Sequence, residues 1–412
     1  MVFVAAIAAL VLRGPAVDQG FTIDESRWIA TSRYFWITFV DRDLLGPAWQ
    51  PNYIVLTHPP VARYVIGLGL WVQGWTPGQL NGRYDSLESR AYNVRAGNIP
   101  EAELLAAARR VVFPFAVAGV CLVYGIGRTL GGRLAGLCAA ALTLVNPLLT
   151  TVWTRALAES IVATFTLLTL LLALQVMPWV GQRTRLAWVP MIIGATLALA
   201  TATKLNGAMG AVGLGVFGAI QQGLAFIRTR RTAGLRSWVD IALSAIIVFV
   251  AVNPLLYVNP AQRAVALLQH RQDEMDFQRM VFSDQAVPED LGARIARVAR
   301  RTFDTWATPA GPLPVSPDVV LAPVGVLLLV RRAVRHLRLQ IAGPPLLFLC
   351  WTGVTYAIVT TNLGFDSSHY FAPIAALNMV LAGYGAAWLV NGSGQVARRR
   401  IRDRQYTQAP TT

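Results

Sequence analysis

The sequence is poor in charged residues. Only 14% of its 412 residues are charged, whereas 55% are hydrophobic, and the mean hydropathy is +0.48. Soluble globular chains carry about 25% charged residues, so this composition excludes an ordinary soluble enzyme and a disordered protein. The length alone would allow two or three soluble domains, but long apolar runs indicate a single polytopic membrane domain over residues 1–412.

Cysteine and lysine are also scarce. The three cysteines, Cys121, Cys138 and Cys350, all lie within apolar runs, so no disulfide framework is predicted. Among 36 basic residues, Lys204 is the single lysine. The chain lacks a P-loop and the H-E-x-x-H pattern of zinc hydrolases. Any reaction must therefore use a substrate that was activated elsewhere.

The apolar runs predict an all-α fold, a polytopic transmembrane helical bundle of about ten spans. A spanning helix needs about 20 mostly apolar residues. The predicted spans are 1–17, 105–126, 134–150, 156–177, 187–203, 205–226, 238–256, 317–330, 339–360 and 371–390. The first run is short and contains Arg13, and we interpret it as an uncleaved helix rather than a signal peptide.

The basic residues predict the orientation of these spans. With the N-terminus and C-terminus in the cytoplasm, the inside connections carry 17 arginines and two acidic residues, and the rest of the chain carries 19 of each sign. The whole net charge of +15 then lies on the inside, as the positive-inside rule requires. The charge thus reflects the membrane, with lipid as a partner and no nucleic acid. The basic stretch 391–412 becomes a cytoplasmic tail.

Two predicted outer segments, 18–104 and 257–316, are too long to be simple connectors, and long ordered connections usually carry function. The first shows an amphipathic pattern over 28–40, typical of an interfacial helix, and then a short apolar stretch, Val61–Trp75, that suits a re-entrant or interfacial helix. The second contains a polar helix, Ala261–Phe282, and a basic amphipathic piece, Leu291–Phe303. We expect the arginines of this piece to form a solvated or lipid-headgroup face; they are Arg294, Arg297, Arg300 and Arg301.

Two acidic positions stand at predicted outer boundaries of the membrane. Asp24 and Glu25 follow the first span, where they either take part in capping the interfacial helix or serve chemistry, and the two roles are compatible. Glu159 opens a later span, and Arg155, four residues earlier, would share its helix face. A glutamate near the hydrocarbon marks a polar cavity, but a structural Arg155–Glu159 pair is the alternative.

Three further sites carry polar groups that could contact a substrate. His58, before Pro59-Pro60, could contact a phosphate, bind a metal or play a structural part. Lys204, between two short spans, could reach lipid headgroups or a lipid phosphate. His369 and Tyr370 precede the last span, where the alternative is an outer connector with an interfacial tyrosine.

A metal site is not defined by the sequence. Asp41-Arg42-Asp43 spells D-x-D, a pattern that is common by chance. His270 lies near Asp273 and Glu274 on the polar helix, but charged helices often have this composition. The metal ligands therefore stay unknown, and a divalent metal cofactor is left open.

The order of these pieces resembles that of the polytopic C-type (GT-C) glycosyltransferases, with the protein O-mannosyltransferases and aminoarabinose transferases as the nearest group. The series consists of Asp24-Glu25 with an interfacial helix, His58-Pro59-Pro60 with a re-entrant helix, Arg155 and Glu159, Thr203-Lys204, Asn253-Pro254 with Asn259-Pro260, and His369-Tyr370. Each motif is short, so the specificity comes from their order. The resemblance covers most of the chain and is strongest over 1–210.

The resemblance implies a membrane glycosyltransferase of the cell envelope that uses a polyprenyl-phosphate sugar donor, mannose or a related sugar, at the outer face of the plasma (inner) membrane. The acceptor would be a hydroxyl of a protein, lipid or glycan. It implies that Asp24 and Glu159 are catalytic, with Asp24 as the base and inversion at the anomeric carbon. Glu159 departs from the aspartate often found there, and His369 from an arginine. The implied substrate contacts are Glu25, His58, Arg63, Arg155, Lys204, His369 and Tyr370.

Two other functions fit parts of the pattern. A transporter or flippase of lipid-linked glycans would place its acidic residues at mid-membrane on broken helices, in inverted repeats. A polymerase or ligase of lipid-linked glycans is the other alternative. If the protein is a transferase, we expect instead that Asp24 and Glu159 line one cavity within about 10 Å of each other. This separation is typical of carboxylates that flank a sugar.

Overall fold

A computed structural model describes residues 20–177, 188–230, 234–309 and 315–407 of the chain, without the side chains of 229 and 392–407. Helices dominate these residues. The first outer segment contains α1 (Ile23–Thr31), α2 (Tyr53–Thr57), α3 (Val61–Val72) and α4 (Arg90–Arg95). The membrane part begins with α5 (Ala102–Val145), α6 (Pro147–Thr154), α7 (Glu159–Val176), α8 (Val189–Thr203), α9 (Met209–Thr229) and α10 (Leu235–Ala251). The second outer segment contains α11 (Pro260–Val281) and α12 (Leu291–Arg300), and α13 (Pro317–Arg338), α14 (Pro344–Thr361) and α15 (Ala372–Thr407) complete the bundle.

The predicted all-α polytopic membrane bundle is confirmed. Five helices of the described chain are long and apolar enough to cross a membrane. They lie within Ala102–Val145, Glu159–Val176, Leu205–Arg228, Pro344–Thr361 and Ala372–Asn391. Nine of the ten predicted spans overlap helices, and the tenth, 1–17, lies outside the described residues.

Glycine turns the chain between the second and third predicted spans. Within α5, Gly132 has φ +82°, a left-handed conformation that glycine adopts without strain. The chain folds back there, so that a Cβ on Gly127 would lie 3.0 Å from the Cα of Gly136. The glycines of this stretch therefore allow the two halves of a helical hairpin to meet backbone to backbone.

The third predicted span, 134–150, is shorter than expected. Its helix ends at Val145 because Asn146 precedes Pro147, and a residue before proline is disfavoured in the helical region. Asn146 adopts an extended conformation and its side-chain oxygen accepts the Leu149 N–H at 3.1 Å. This cap starts the separate helix α6, with proline at its first position.

The helices of the bundle approach each other closely through small residues. α15 packs against α5 and α13, α8 packs against α7 and α10, and α9 packs against α14. At the crossing of α13 and α15, a Cβ on Gly325 would lie 2.1 Å from the Leu381 carbonyl oxygen. A Cβ on Gly385 would lie 2.2 Å from the Leu321 carbonyl oxygen. This reciprocal contact of glycine with backbone is the mode by which membrane helices pack tightly without large side chains.

The outer segments converge on one end of the bundle. α1 contacts α3, α3 contacts α5 and α8, and α2 contacts α11. The start of α7, the residue that follows α8 and the turn before α15 meet them there, since Glu159, Lys204, His369 and Tyr370 line a shared cavity. The segments that line this cavity were all assigned to the outer side by the charge pattern. In the structure they lie together at one end of the bundle.

We expect Gly325→Val to separate α13 from α15, because the new side chain would overlap the Leu381 backbone. Overpacking of this kind costs about 1–3 kcal/mol of stability. The loss would appear as a lower unfolding temperature of the detergent-purified protein. Gly353→Val is the matched control, since a Cβ on this glycine of α14 would meet no atom within 4 Å. Equal losses in the two variants would contradict the close crossing.

Candidate active site

The adjacent carboxylates at the start of α1 face different surroundings. Thr22 caps this helix, and its N–H donates to Glu25 Oε2 at 3.1 Å. Neighbouring residues of a helix point about 100° apart, so Glu25 turns into the protein while Asp24 lines a polar cavity. The expected cap at the start of this helix is present.

Glu25 joins three parts of the chain in the protein interior. Its carboxylate accepts hydrogen bonds from Arg109 of α5 at 2.7 and 2.8 Å, and from the Ala156 N–H at 3.0 Å. Glu25 and Arg109 are both almost fully buried. Glu25 therefore does not line the polar cavity, and the structure gives it a packing role where a substrate contact was expected.

Glu159 pairs with lysine rather than with Arg155. Residues 155–158 form a bend between α6 and α7, so Arg155 and Glu159 do not share a helix face as predicted. The Glu25 carboxylate satisfies the Ala156 N–H in this bend, which removes the need for a helical partner. Arg155 lies outside the polar cavity, whereas Glu159 Oε1 accepts a hydrogen bond from Lys204 Nζ at 2.7 Å.

A polar cavity of about 740 Å³ collects most of the predicted site residues. Those that line it are Asp24, His58, Arg63, Glu159, Lys204, His369 and Tyr370. The two proposed catalytic carboxylates therefore share one cavity, although they are 135 positions apart in the sequence.

Residues of α11 form one wall of this cavity, and the sequence had suggested only Glu274 among them, as a potential metal ligand. Glu274 Oε1 accepts hydrogen bonds from the Tyr53 hydroxyl at 3.0 Å and from Gln278 at 3.1 Å. Arg271 donates to the Tyr370 hydroxyl at 3.0 Å, and that hydroxyl donates to Gln278 at 3.2 Å. Residues 271, 274 and 278 share one helix face at spacings of three and four, which is the signal that could have revealed them.

The cavity carries more positive than negative charge. Its cationic residues are Arg27, Arg63, Arg83, Lys204 and Arg271, and its anionic residues are Asp24, Glu159 and Glu274. Within the described chain, none of these arginines has a carboxylate oxygen within ion-pair distance. The cavity is therefore suited to an anionic group.

Several buried polar atoms of the cavity have no hydrogen-bond partner among the described residues. They are Nε and Nη1 of Arg63, Nε of Arg27 and Oε2 of Glu159. Buried polar atoms are normally satisfied, so these atoms still lack a partner. The two arginines offer donors, and Glu159 offers an acceptor.

Both histidines of the cavity have a lowered pKa, which favours the neutral imidazole at pH 7. Burial lowers the pKa of His58, and the positive charge of Lys204 lowers it further. Burial and Lys204 also lower the pKa of His369, to about 4, against the opposing effect of Glu159 and Asp24. Each imidazole can therefore both donate and accept a hydrogen bond, and His369 lies within electrostatic reach of both carboxylates.

No metal cluster is evident in the parts of the chain that the structure describes. There, no group of three His, Cys, Asp or Glu side chains is arranged to hold an ion. His270, which the sequence placed among potential ligands, instead meets the Thr57 hydroxyl at 3.0 Å and the edge of the Tyr53 ring.

An apolar cavity of about 570 Å³ adjoins the polar one. Glu159 and His369 line both cavities. The remaining walls come mainly from α7, α9, α14 and α15, including Leu167, Met209 and Trp351. Glu159 and His369 therefore lie between a polar chamber at the end of the bundle and an apolar space among the helices.

Comparison with known families decides the identity of the chain. A sequence model of the dolichyl-phosphate-mannose-protein mannosyltransferases matches residues 49–268, which is more than half of the chain. The chain belongs to this family. The match includes His58, Arg63, Glu159 and Lys204 of the polar cavity. No curated protein matches the chain significantly.

Solved structures show the same fold at low sequence identity. ArnT from Cupriavidus metallidurans, bound to undecaprenyl phosphate, has a TM-score of 0.56 and 16% identity, over 93% of this chain and 59% of that one. The archaeal oligosaccharyltransferase AglB from Archaeoglobus fulgidus, in complex with an inhibitory peptide and a dolichol-phosphate, has a TM-score of 0.54 and 13% identity. That match covers 100% of this chain and 52% of AglB. The chain therefore has the GT-C fold. It spans little more than half the length of these neighbours.

We expect Glu25→Gln to destabilise the protein, because it removes the negative charge that faces buried Arg109. Breaking a buried ion pair costs about 3–5 kcal/mol. The free energy of unfolding in detergent would measure the loss, with Glu88→Gln as a control at an exposed position of the same segment. If both variants unfold alike, Glu25 does not hold α1 to α5.

Proposed function

We propose that this family member transfers a sugar, mannose or a related hexose or pentose, from a polyprenyl-phosphate donor to an acceptor hydroxyl in the polar cavity. The observation that carries the proposal is the junction of the polar and apolar cavities at Glu159 and His369. A polyprenyl-phosphate sugar has the same two parts, a polar head and an apolar chain. Its sugar phosphate fits the polar cavity, and its first isoprene units fit the apolar one.

The charge of the polar cavity supports a phosphate as the leaving group. The five cations and three anions leave an excess of two positive charges. A phosphate monoester carries about −1.5 to −2 at pH 7, so the departing polyprenyl phosphate would balance this excess. Fixed cations aimed at developing charge lower the barrier of such a step. We assign phosphate contacts to Arg63 and Lys204, with His58 as a neutral donor.

Asp24 is our candidate for the general base. The acceptor oxygen attacks the anomeric carbon, and the carbon–oxygen bond to the phosphate breaks with its electron pair on the phosphate. The hydroxyl proton passes to the Asp24 carboxylate, since a positioned carboxylate can accept it. A single displacement of this kind inverts the configuration at the anomeric carbon. The unpartnered Oε2 of Glu159 would accept a hydrogen bond from the sugar or the acceptor.

The structural neighbours are consistent with these partners. ArnT was solved with undecaprenyl phosphate, and AglB with a dolichol-phosphate and a peptide. We infer a lipid-phosphate donor for this chain, with a protein, lipid or glycan as acceptor. The predicted orientation assigns the cavity to the outer face of the plasma (inner) membrane, with both termini in the cytoplasm.

We expect Asp24→Asn to abolish transfer without unfolding the protein. Loss of a general base lowers rates by about 10²–10⁴-fold. The assay offers purified enzyme a panel of polyprenyl-phosphate sugars with serine-containing peptides, lipids and glycans as acceptors, and scores the lipid phosphate released.

Asp41→Asn, an exposed aspartate of the same outer segment, is the matched control and should keep the parent rate. A fast Asp24→Asn variant would refute the base. A parent protein that binds these lipids but releases no phosphate from any of them would favour the transporter instead.

We expect Arg63→Met to weaken binding of undecaprenyl phosphate by roughly 10- to 100-fold, since a hydrogen bond to a charged group contributes about 1.5–3 kcal/mol. Binding is measured by competition against a fluorescent lipid phosphate in nanodiscs. Arg90→Met removes an exposed arginine of the same segment and should leave the affinity unchanged. An unchanged affinity in Arg63→Met would remove this residue from the phosphate site.

A further inference from the structure

His369 and Tyr370 reach the polar cavity on a short connection between α14 and α15. The connection runs from Asn362 to Phe371 and contains a single 3₁₀ turn, Ser368–Tyr370. His369 receives a local contact from the Ser367 hydroxyl, 3.0 Å from its Nδ1, and Tyr370 is held by α11. A segment with so little secondary structure of its own needs outside contacts to hold these side chains in place.

Asp366, three residues before His369, makes the strongest of these contacts. Arg301 donates from Nε to Asp366 Oδ1 at 2.9 Å and from Nη2 to Oδ2 at 2.7 Å, a bidentate arrangement. Arg297 also donates to Oδ2. The Asp366 side chain is only 3% exposed. Burial raises the pKa of Asp366, but the bonds and charges of Arg301 and Arg297 outweigh it and hold this pKa below its ordinary value.

The arginines that bind Asp366 come from the second outer segment. Helix α12 begins with an Asp290 cap, and Arg297 lies in its last turn while Arg301 directly follows it. The backbone of the same segment pairs with the connection, since Gln285 O accepts the Asp366 N–H at 2.8 Å and Gly364 O accepts the Val287 N–H at 3.0 Å. Neither α12 nor these arginines line the polar cavity.

The arrangement corrects the expectation that these four arginines form a solvated or lipid-headgroup face. Arg294 donates to the carbonyl oxygens of Thr361 and Pro288, and Arg297 and Arg301 hold Asp366. Only Arg300 matches the expected solvated face, where it meets Asp304 at 3.8 Å with both side chains about three-quarters exposed. Three of the four arginines are therefore turned toward residues 361–366, at the end of α14 and the start of the connection.

We propose that Asp366, clamped by Arg297 and Arg301, is a positioning residue that fixes the His369–Tyr370 turn in the polar cavity. Without the clamp, the connection would keep the backbone pairing but lose the ion pairs that hold its buried Asp366 carboxylate. His369 would then leave its place in the polar cavity, which Asp24 and Glu159 also line, and Tyr370 would lose its hydrogen bonds with Arg271 and Gln278. The consequence for catalysis rests on the proposed function, whereas the position of His369 does not.

The position of His369 can be measured without any substrate. The chain contains four histidines, so ¹⁵N-histidine-labelled protein gives few imidazole signals, and His369→Gln assigns one of them. In Asp366→Asn we expect the His369 signal to shift and its titration midpoint to rise from about 4 toward the ordinary value near 6.5. His336, on α13, should titrate as in the parent and serves as the internal reference.

The clamp should also affect the reaction. A misplacement of about 1 Å in a site can cost 10²-fold in rate, so we expect a fall in kcat of up to about 100-fold in Asp366→Asn. The combined variant Asp366→Asn/Arg301→Gln should be no slower than Asp366→Asn alone, because the two residues act through one contact. Arg300→Gln, which breaks only the exposed pair with Asp304, should match the parent in both rate and spectrum.

An unchanged His369 signal in Asp366→Asn would overturn the proposal, as would an equal shift in Arg300→Gln. If Asp366→Asn does not fold, Arg297→Gln decides by the same criterion, since it leaves Arg301 on the carboxylate and should give a smaller shift in the same direction. The parent protein separates the two claims. If it turns over no donor, the proposed function fails, whereas the clamp stands or falls on the spectrum.

Discussion

The ion pair between Glu159 and Lys204 is the interaction on which the site depends. It joins the first residue of α7 to the residue that follows α8, at the end of the bundle where the outer segments meet. A charge near the hydrocarbon is expensive unless it is paired or faces a polar space, and each of these residues does both. The pair holds two spans together at the floor of the polar cavity, and it leaves Glu159 Oε2 available to a ligand.

The same constraint explains why the other charged residues divide into two groups. Sealed residues have their charges paired inside the protein, and open residues line the cavity. Glu25 and Arg109 are saturated by each other and by backbone, and they tie α1 to α5. Asp24, one residue earlier, keeps its carboxylate at the cavity. Asp366 is also buried and paired, but it lies between two predicted outer segments, and its arginine partners are 38% and 27% exposed. Sealed pairs therefore surround the cavity and fix the connections that carry its open groups.

The sequence predicts those features that depend on local pattern. Nine of the spans predicted from hydropathy overlap helices of the described chain. The order of short polar motifs predicted that Asp24, His58, Glu159 and Lys204 belong to one site. The break at 155–158 could not be predicted, because the partner of its Ala156 N–H is the Glu25 carboxylate, 131 positions away. The arginines of α12 were misjudged for the same reason, since Asp366 lies 69 positions beyond Arg297. Amphipathic spacing shows that a helix has two faces, but it does not show what either face meets.

The most direct test of the account is the location of the lipid phosphate. Electron cryomicroscopy of the purified protein in nanodiscs with undecaprenyl phosphate would show its phosphate and the first isoprene units. The account predicts phosphate density within hydrogen-bond distance of Arg63 and Lys204, with the isoprene chain running past Glu159 and His369 into the apolar cavity. Phosphate density outside the polar cavity, or at the opposite end of the bundle, would contradict it.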